Sequence, residues 1–489
     1  MRAPFECHHR ITAQRGDGRT GDLLARAAAL SAAGCRPLLY WEQPATGEAL
    51  LAAGSAHTIA TAGAQRLRLA EVAARGISAR LEWGDTAAGA PAPRFVGGFG
   101  FAREASPDPL WRDFPSCGLF LPERLWVQAG TTTWALHATP CAHAGPLAAE
   151  GPSVAIRSPF DGRRVSGTIS KQSAAEPRLL SPSAALRTGS SKPERGDCRQ
   201  SAAAAALTER DHWMARVERT LSLIATGTLS KLVLARHRVW SFADALDVPR
   251  MLAHLRTSRP GCVTFWCASN DSHFVGSTPE LLLRGDGLHV ESFALAGTAP
   301  RHGGGHDDAV RAAALLESVK DRLEHDAVVG GICAALDPLA ASLQASAQPR
   351  LLSVPEAHHL RTVISATLRA PRHVLELADR LHPTPAVCGL PRDVAWPLLE
   401  REEPDRGWYS GGIGWFDVHG AGAFAVALRS ALARGRHLTV WAGAGIVAGS
   451  EPAAEFAETD AKMRPMLEAG RRLAPLAADA PAATARPQP

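Results

Sequence analysis

The feature that most constrains the fold of this chain is a short segment with apolar side chains on both of its alternating faces. Residues 228–240 read TLSKLVLARHRVW. The apolar positions around the lysine belong to both faces: Leu229, Leu232, Val233, Leu234 and Ala235. Because such a strand is normally covered on both sides, we predict a sheet with a packed layer on each face. Lys231 then either reaches solvent from a strand edge, which the pattern alone favours, or is buried, where loss of water disfavours its charged form.

Predicted strands and helices occur in separate runs rather than in regular alternation. Strands are predicted at 229–240, 262–268, 272–276, 288–295, 411–416, 422–430 and 437–442, and in CRPLLYWEQP and PRFVGGFGFA. Helices are predicted over ERDHWMARVERTLSLIATG and at 307–335, 373–381 and 451–470. Runs of this kind indicate an α+β fold with large, mainly antiparallel sheets flanked by helices.

Changes in composition divide the chain into four parts. Residues 1–155 mix short apolar runs with Gly and Pro and are predicted to be the N-terminal part of the α+β fold. Residues 156–206, rich in Ser, Ala and Pro, are predicted to be a flexible linker. The clearer apolar periodicity of 207–472 predicts the core that carries the chemistry, and 473–489 is predicted to be a disordered tail.

Charge and cysteine content exclude several classes of protein. The net charge of +5 is small for 489 residues and no block of Lys and Arg occurs, so neither a nucleic-acid nor a membrane partner is predicted. The nine cysteines are odd in number and include no CxxC pair, which is typical of free thiols in a reducing compartment. The start, MRAPFECHHR, lacks the apolar region of a signal peptide, so a soluble cytoplasmic protein is expected.

Carboxylates on two predicted helices are candidates for a metal site. In the closing helix, Glu455 and Glu458 are three residues apart and Lys462 follows four later, so all three share one face. Glu324 lies beside Leu323 near the edge of an apolar stripe on the long helix. The pattern alone favours solvated faces with a Glu–Lys pair, whereas the functional interpretation is oxygen ligands presented to Mg²⁺.

Two further positions are candidates for catalysis and anion binding. Glu280 follows a turn and stands between Pro279 and a Leu run; partial burial there would raise its pKa and suit a general acid, although the pattern alone favours a turn glutamate. Arg429 ends an apolar strand and can grip a carboxylate through two parallel hydrogen bonds. The Gly-rich stretch WAGAGIVAGS supplies backbone N–H groups for an anionic oxygen.

The order of several motifs resembles the chorismate-utilising enzyme family. The matching blocks cover about 215–470 and are KLVLAR, FVGSTPELLL, ALAGTAPR, SVKDRLEH, HHLRTVISATL, LHPTPAVCGLPRDVA, WYSGGIGWFD, FAVALRSAL and WAGAGIVAGSEPAAEFAETDAK. The first 150 residues match more loosely, with PLLYWEQP and RFVGGFGF similar to the isochorismate synthase branch. This resemblance implies the fold of that family and a magnesium-dependent isomerisation of chorismate to isochorismate.

The resemblance also assigns roles to residues. It implies that Lys231 activates water for attack at ring C2 and that Glu280 protonates the departing C4 hydroxyl. It implies that Glu324 and Glu458 hold Mg²⁺, with Glu455 in support. The implied substrate-binding residues are Thr298, His382, Tyr409, Arg429, Gly443, Ala444, Gly445 and Lys462, of which Thr298 and His382 would line the ring pocket.

Several alternatives remain open within and beyond this family. A salicylate synthase would go on to eliminate pyruvate, and an amination of the anthranilate type is disfavoured by Lys231. A scaffold of the same fold without activity is disfavoured because the four catalytic and metal-binding side chains are present. The resemblance predicts no glutaminase subunit, and an isochorismate–pyruvate lyase or a menaquinone-pathway enzyme would use the product. Leu323, Cys388 and Ala423 depart from the residues usual in the family.

Overall fold

The computed structural model describes residues 9–16, 22–86, 88–141, 153–156, 208–301, 305–473 and 475–476. The predicted linker 156–206 lies outside the described residues except for its first position, and so does most of the predicted tail. Among the described residues, no helix combines the length and apolarity needed to cross a membrane.

The described residues form the following elements. The strands are β1 (His9–Arg15), β2 (Leu38–Gln43), β3 (Glu48–Ala53), β4 (His57–Thr61), β5 (Leu81–Thr86), β6 (Arg94–Phe99), β7 (Cys117–Leu121), β8 (Arg124–Ala129), β9 (Thr132–Pro140), β10 (Ser153–Ile156), β11 (Lys231–Ser241), β12 (Val263–Ser269), β13 (Ser272–Thr278), β14 (Leu281–Gly285), β15 (His289–Pro300), β16 (Ala340–Ala345), β17 (Arg350–Val354), β18 (Ala357–Leu368), β19 (Gly389–Leu390), β20 (Gly412–Asp417), β21 (Gly422–Val426), β22 (Ser430–Arg434) and β23 (His437–Ile446). The helices are α1 (Leu23–Ala32), α2 (Arg66–Ser78), α3 (Glu209–Ala225), α4 (Val248–Ser258), α5 (His306–Glu317), α6 (Val319–Leu336), α7 (Val374–Leu381), α8 (Arg392–Glu402) and α9 (Pro452–Arg471).

The strands build two large sheets. The first has the order β19-β11-β23-β22-β13-β12-β2-β3-β8-β9-β1-β5, and the second has the order β10-β4-β7-β6-β20-β21-β14-β15-β18-β16, with β17 also paired to β18. Only the β1–β5 and β4–β10 pairs of the described strands are parallel. The prediction of an α+β fold with large, mainly antiparallel sheets is confirmed.

Helices cover the outer faces of the two sheets, and the inner faces pack on each other. Trp41 and Trp441 of the first sheet meet Ile413 of the second in a shared apolar core. On the outside, α1, α4 and α9 pack on the first sheet, and α2, α6 and α7 pack on the second. Leu232 and Leu234 of β11 pack on α3 and α8, while the opposite face of the strand meets the core between the sheets. The predicted burial of this strand on both faces is therefore confirmed.

The long helix predicted over 307–335 is wrong, because the chain forms two helices. Ser318 has φ −65° and ψ 113°, which is not helical, and its hydroxyl accepts a hydrogen bond from the Asp321 N–H as the N-cap of α6. The predicted apolar stripe is wrong as well, since Val319 is 73% and Leu323 66% exposed. Because of this break, the axis of α6 does not continue that of α5.

The strand predicted at 422–430 is also interrupted. β21 ends at Val426 and β22 begins at Ser430. Arg429, just before β22, has φ +48°, a left-handed conformation that is unusual for a residue with a side chain. The two strands belong to different sheets, so the interruption is the point where the chain crosses between them.

The cysteines follow the expectation of free thiols with one exception. Free thiols among the described residues are those of Cys35, Cys117, Cys262, Cys267, Cys333 and Cys388. Cys141 is disulfide-bonded, so the expectation is wrong for this residue.

Candidate active site

A cavity of about 270 Å³ lies where the two sheets meet below α6 and α9. Its walls come from β11 and β23 of the first sheet, β15 and β18 of the second, the two helices and residues 406–410. The polar side chains that line it include Glu280, Thr298, Glu324, Arg429, Glu458 and Lys462. Acidic and basic side chains that are far apart in the sequence thus line the same cavity.

Lys231, at the start of β11, is only 2% exposed. The alternative of a lysine that reaches solvent is therefore wrong. Its Nζ donates a 2.8 Å hydrogen bond to Glu324 Oε1, and Lys231 itself is not part of the cavity wall because Glu324 covers it. Burial alone would raise the pKa of Glu324, but the neighbouring Lys231, with Lys462 and Lys320, outweighs burial and lowers it.

Glu280 is the buried acid of the cavity. It is 3% exposed, and none of the described side chains forms a hydrogen bond with its carboxyl group. Burial raises its pKa to about 8, against the opposing effect of Lys231 and Lys462. At neutral pH this side chain is therefore a protonated acid that opens onto the cavity, rather than the turn glutamate that the pattern alone favours.

Three carboxylates at the helix end of the cavity are each paired with a lysine. Besides Glu324 and Lys231, Glu458 lies 2.5 Å from Lys462 and Glu455 lies 3.8 Å from Lys320. Burial, and then Glu458, raise the pKa of Glu455.

The oxygen donors of this carboxylate cluster suit a hard cation. No set of three or more His, Cys, Asp or Glu side chains in the described part of the chain is arranged to hold a metal by itself. The residues therefore fit a cation that takes one or two protein carboxylates and completes its coordination with substrate and water.

Arg429 also lies in the wall of the cavity. Its guanidinium donates to His359 Nε2 at 3.3 Å and lies 3.7 Å from the Glu356 carboxylate. His359 Nδ1 lies 3.0 Å from Thr298 Oγ1. Burial, with Arg429 nearby, holds the pKa of His359 well below its usual value, so the ring is neutral. An arginine fixed in this way can present two donors to a carboxylate.

Two glycines of β23 leave space for these groups. A Cβ at Gly445 would lie 2.7 Å from Glu324 Oε1 and 3.1 Å from Lys231 Cε. A Cβ at Gly443 would lie 2.8 Å from the Leu234 carbonyl oxygen. The Gly443 N–H donates to Tyr409, whose pKa is raised to about 12 mainly by burial, and the Gly443 carbonyl accepts from Lys462 Nζ at 2.9 Å.

Most of the predicted site residues lie in the wall of this cavity, but Lys231, Ala444 and His382 do not. The residues in its wall are Glu280, Thr298, Glu324, Tyr409, Arg429, Gly443, Gly445, Glu455, Glu458 and Lys462. Ala444 points away from it into the apolar cluster that β11 and β23 form with α3 and α8. His382 packs among Phe99, Phe101 and Trp396, and burial lowers its pKa to about 3. The prediction that His382 lines the ring pocket is wrong, because its ring is part of the aromatic core.

Sequence reasoning missed residues that line the cavity beside the predicted ones. These include Lys320, Asp321 and His359. A compositional signal was available, since only five of the 53 basic residues are lysine. Every lysine in the described part of the chain, namely Lys231, Lys320 and Lys462, lies at this site. Arginine cannot give up its proton near neutral pH, whereas lysine can. A lysine in an arginine-rich chain therefore indicates a position where arginine could not take over its role.

Comparison with known proteins gives consistent matches. A family model described as "Chorismate binding enzyme" matches residues 18–150 and 166–470. The salicylate biosynthesis isochorismate synthase of Pseudomonas aeruginosa is 34% identical over 88% of this chain and 84% of its own length. Isochorismate synthase DhbC of Bacillus subtilis is 40% identical over 54% of this chain and 68% of its own. Among solved structures, the menaquinone-specific isochorismate synthase MenF of Escherichia coli has the same fold, with a TM-score of 0.68 over 96% of both chains at 23% identity.

Proposed function

The chain belongs to the chorismate-binding enzyme family, and on this premise we propose that it is an isochorismate synthase, which isomerises chorismate to isochorismate. The observation that carries the proposal is the protonated Glu280, which opens onto the same cavity as the Lys231–Glu324 pair and Arg429. The names of the relatives support the same reaction.

Glu280 is proposed as the general acid. Its pKa of about 8 leaves it protonated at neutral pH, and its carboxyl group has no protein partner that would retain the proton. Such a group can protonate the C4 hydroxyl of the substrate as it leaves as water.

Lys231 is proposed as the base that accepts a proton from the water that attacks C2. To do so, Lys231 must exchange its hydrogen bond with Glu324 for one with that water. The double bond of the ring then moves between the two substituted carbons. Glu280 follows β13 and Lys231 begins β11, so the proposed acid and base come from different strands of the first sheet.

Arg429 is proposed to bind a carboxylate of chorismate. Its guanidinium is already oriented by His359 and Glu356, and Tyr409 and Gly443 lie beside it in the cavity wall. Preorganised donors of this kind bind and orient an anion without further ordering.

Mg²⁺ is proposed as the cation of the carboxylate cluster, held by Glu324 and Glu458 with Glu455 in support. When bound, it would supply a Lewis acid for the ring carboxylate. The cation would then replace Lys231 as the partner of Glu324 and Lys462 as the partner of Glu458.

The test is an incubation of purified protein with chorismate and Mg²⁺, with and without EDTA, followed by proton NMR. We expect isochorismate to approach an equilibrium with chorismate, no pyruvate, and no conversion with EDTA. Pyruvate with salicylate would move the assignment to a salicylate synthase, and unchanged chorismate would contradict the proposal. We also propose that the product is used in a siderophore, salicylate or menaquinone pathway and that the protein is cytoplasmic.

A further inference from the structure

The hairpin of β17 and β18 forms an arm from the second sheet to the first. The pair Val354–Ala357 closes it with a two-residue turn at Pro355 and Glu356. Val354 and Ala357 pack on Cys262, just before β12 of the first sheet. The tip of the arm therefore contacts the first sheet, although its strands belong to the second.

Hydrogen bonds of Arg301, Asp308 and His358 fix the tip of this arm in position. Arg301 Nη1 donates to the Val354 carbonyl, and the Arg301 backbone N–H donates to the Glu356 carbonyl at 2.9 Å. His358 bridges Ser353, at 2.7 Å, and Asp308, at 3.1 Å. Asp308 in turn accepts from Arg301 Nε at 3.0 Å. The position of the tip is thus determined by a closed set of hydrogen bonds.

The carboxylate of Glu356, at the tip, lies between two arginines. One oxygen accepts a 3.0 Å hydrogen bond from Arg259 Nη2, and the other lies 3.7 Å from Arg429 Nη1. Arg259 is 7% exposed, so this bridge is largely shielded from solvent. Charge pairs are strongest where water is excluded, and removal of the central charge would leave two arginines facing each other.

Glu356 and Arg259 do not line the cavity, whereas Arg429 does. They cannot contact a molecule bound there, and any effect they have on it must pass through Arg429. The backbone of Arg429 is in the left-handed region, a conformation that persists where its surroundings hold it. Glu356, His359 and the Lys462 carbonyl are the partners that orient its guanidinium.

We propose that Glu356 is a positioning residue that, braced by Arg259, aligns Arg429 for the carboxylate of the substrate. This proposal rests on the proposed function, in which Arg429 binds chorismate. It predicts that Glu356 affects substrate binding rather than the proton transfers, which belong to Glu280 and Lys231.

The test compares steady-state kinetics of wild type, Glu356→Gln and Glu356→Asp with chorismate and Mg²⁺. We expect Glu356→Gln to raise KM roughly tenfold with kcat within about twofold of wild type, since a charge-assisted contact is lost outside the reacting groups. Glu356→Asp, which keeps the charge, is expected to restore part of the KM. The matched control is Glu376→Gln on α7, which removes the 3.1 Å ion pair between Glu376 and Arg372. Neither residue lines the cavity, so KM and kcat are expected to be unchanged.

Three results would overturn the proposal. The first is an unchanged KM in Glu356→Gln. The second is a lower KM in Glu356→Gln, which would mean that Glu356 competes with the substrate for Arg429. The third is an equal loss of kcat in Glu356→Gln and Glu356→Asp. Failure of wild type to convert chorismate would instead contradict the proposed function. Melting curves of each variant show whether the protein is folded. If Glu356→Gln does not fold, the KM of Glu356→Asp serves as the test.

Discussion

At the scale of single residues, burial determines what the ionisable groups of the cavity can do. The spacing of Glu455, Glu458 and Lys462 on one helix face made their proximity predictable from sequence. Nothing local in the sequence shows that His359 meets Arg429, because that contact joins β18 to the residue before β22. His382 was misplaced for the same reason, since the aromatic rings that enclose it come from distant segments.

The rate of the proposed reaction should depend on the protonation of Glu280. A general acid must carry its proton, so kcat/KM of wild type is expected to fall as pH rises through about 8. Glu280→Gln, which has no proton to give, should lower kcat roughly a thousandfold at pH 7. A pH–rate profile between pH 6 and 10 measures this. A flat profile up to pH 10, or a fully active Glu280→Gln, would exclude Glu280 as the acid.

The same group should make the stability of the protein depend on pH. Its pKa is 4.5 in an exposed setting and about 8 when folded, so between these values the folded state binds more protons than the unfolded state. Stability from this group therefore falls as pH rises from about 4.5 to about 8. We expect Glu280→Gln to melt at a higher temperature than wild type at pH 8, with a smaller difference at pH 5. Equal melting temperatures at both pH values would contradict this.

Gly445 tests the packing around Lys231. An added methyl group in Gly445→Ala would displace Glu324 or Lys231, so activity should fall roughly a hundredfold while the protein remains folded. Gly330→Ala on α6 is the control, because a Cβ there meets no atom within 4 Å. Chorismate turnover and circular dichroism of both variants measure the effect, and a fully active Gly445→Ala would show that the space is not needed.

At the scale of elements, the division between α5 and α6 aims the carboxylate of α6 at the cavity. The sequence around Ser318 continues a helical pattern, so an unbroken helix was predicted. A serine hydroxyl can cap a helix or lie inside one, so the sequence does not distinguish a break at Ser318 from an unbroken helix. The packing of α6 on β15 favours the break. The boundaries of most other elements that were predicted agree within a few residues, because apolar periodicity there coincides with Gly or Pro, whereas α4, α8 and β18 are among the elements that were not predicted.

Ser318 is expected to stabilise this division. Ser318→Ala removes the hydrogen bond to the Asp321 N–H, so the free energy of unfolding should fall by about 1 kcal/mol. Ser318→Thr keeps a hydroxyl and is expected to retain most of the stability. Urea denaturation followed by tryptophan fluorescence measures both, and equal midpoints for Ser318→Ala and wild type would show that the cap contributes nothing.

At the scale of the whole molecule, each sheet joins a block of strands from the N-terminal part of the chain to a block from the C-terminal part. In the first sheet β2 pairs with β12, and in the second β6 pairs with β20. The sequence predicted the fold class from runs of strands, but the pairing of strands more than 200 residues apart leaves no local pattern. The topology therefore had to come from the structure.

This joining of both parts of the chain within each sheet predicts that the two parts do not fold separately. A fragment of residues 1–155 exposes the edge of β2 that β12 covers in the intact protein, and such edges aggregate. We expect residues 1–155 and 208–476, expressed apart, to lack a cooperative melting transition that the full chain shows. Calorimetry of the fragments measures this, and an independent transition in either one would show a self-sufficient domain.

The distribution of lysine has a practical consequence for covalent labelling. All lysines of the described residues are at the cavity, and Lys231 and Lys462 are shielded by their carboxylate partners while Lys320 is half exposed. An amine-reactive reagent of limited concentration will therefore modify Lys320 first among them. The protein thus carries an attachment point for a fluorophore at the mouth of its own cavity, where a bound molecule would change the emission.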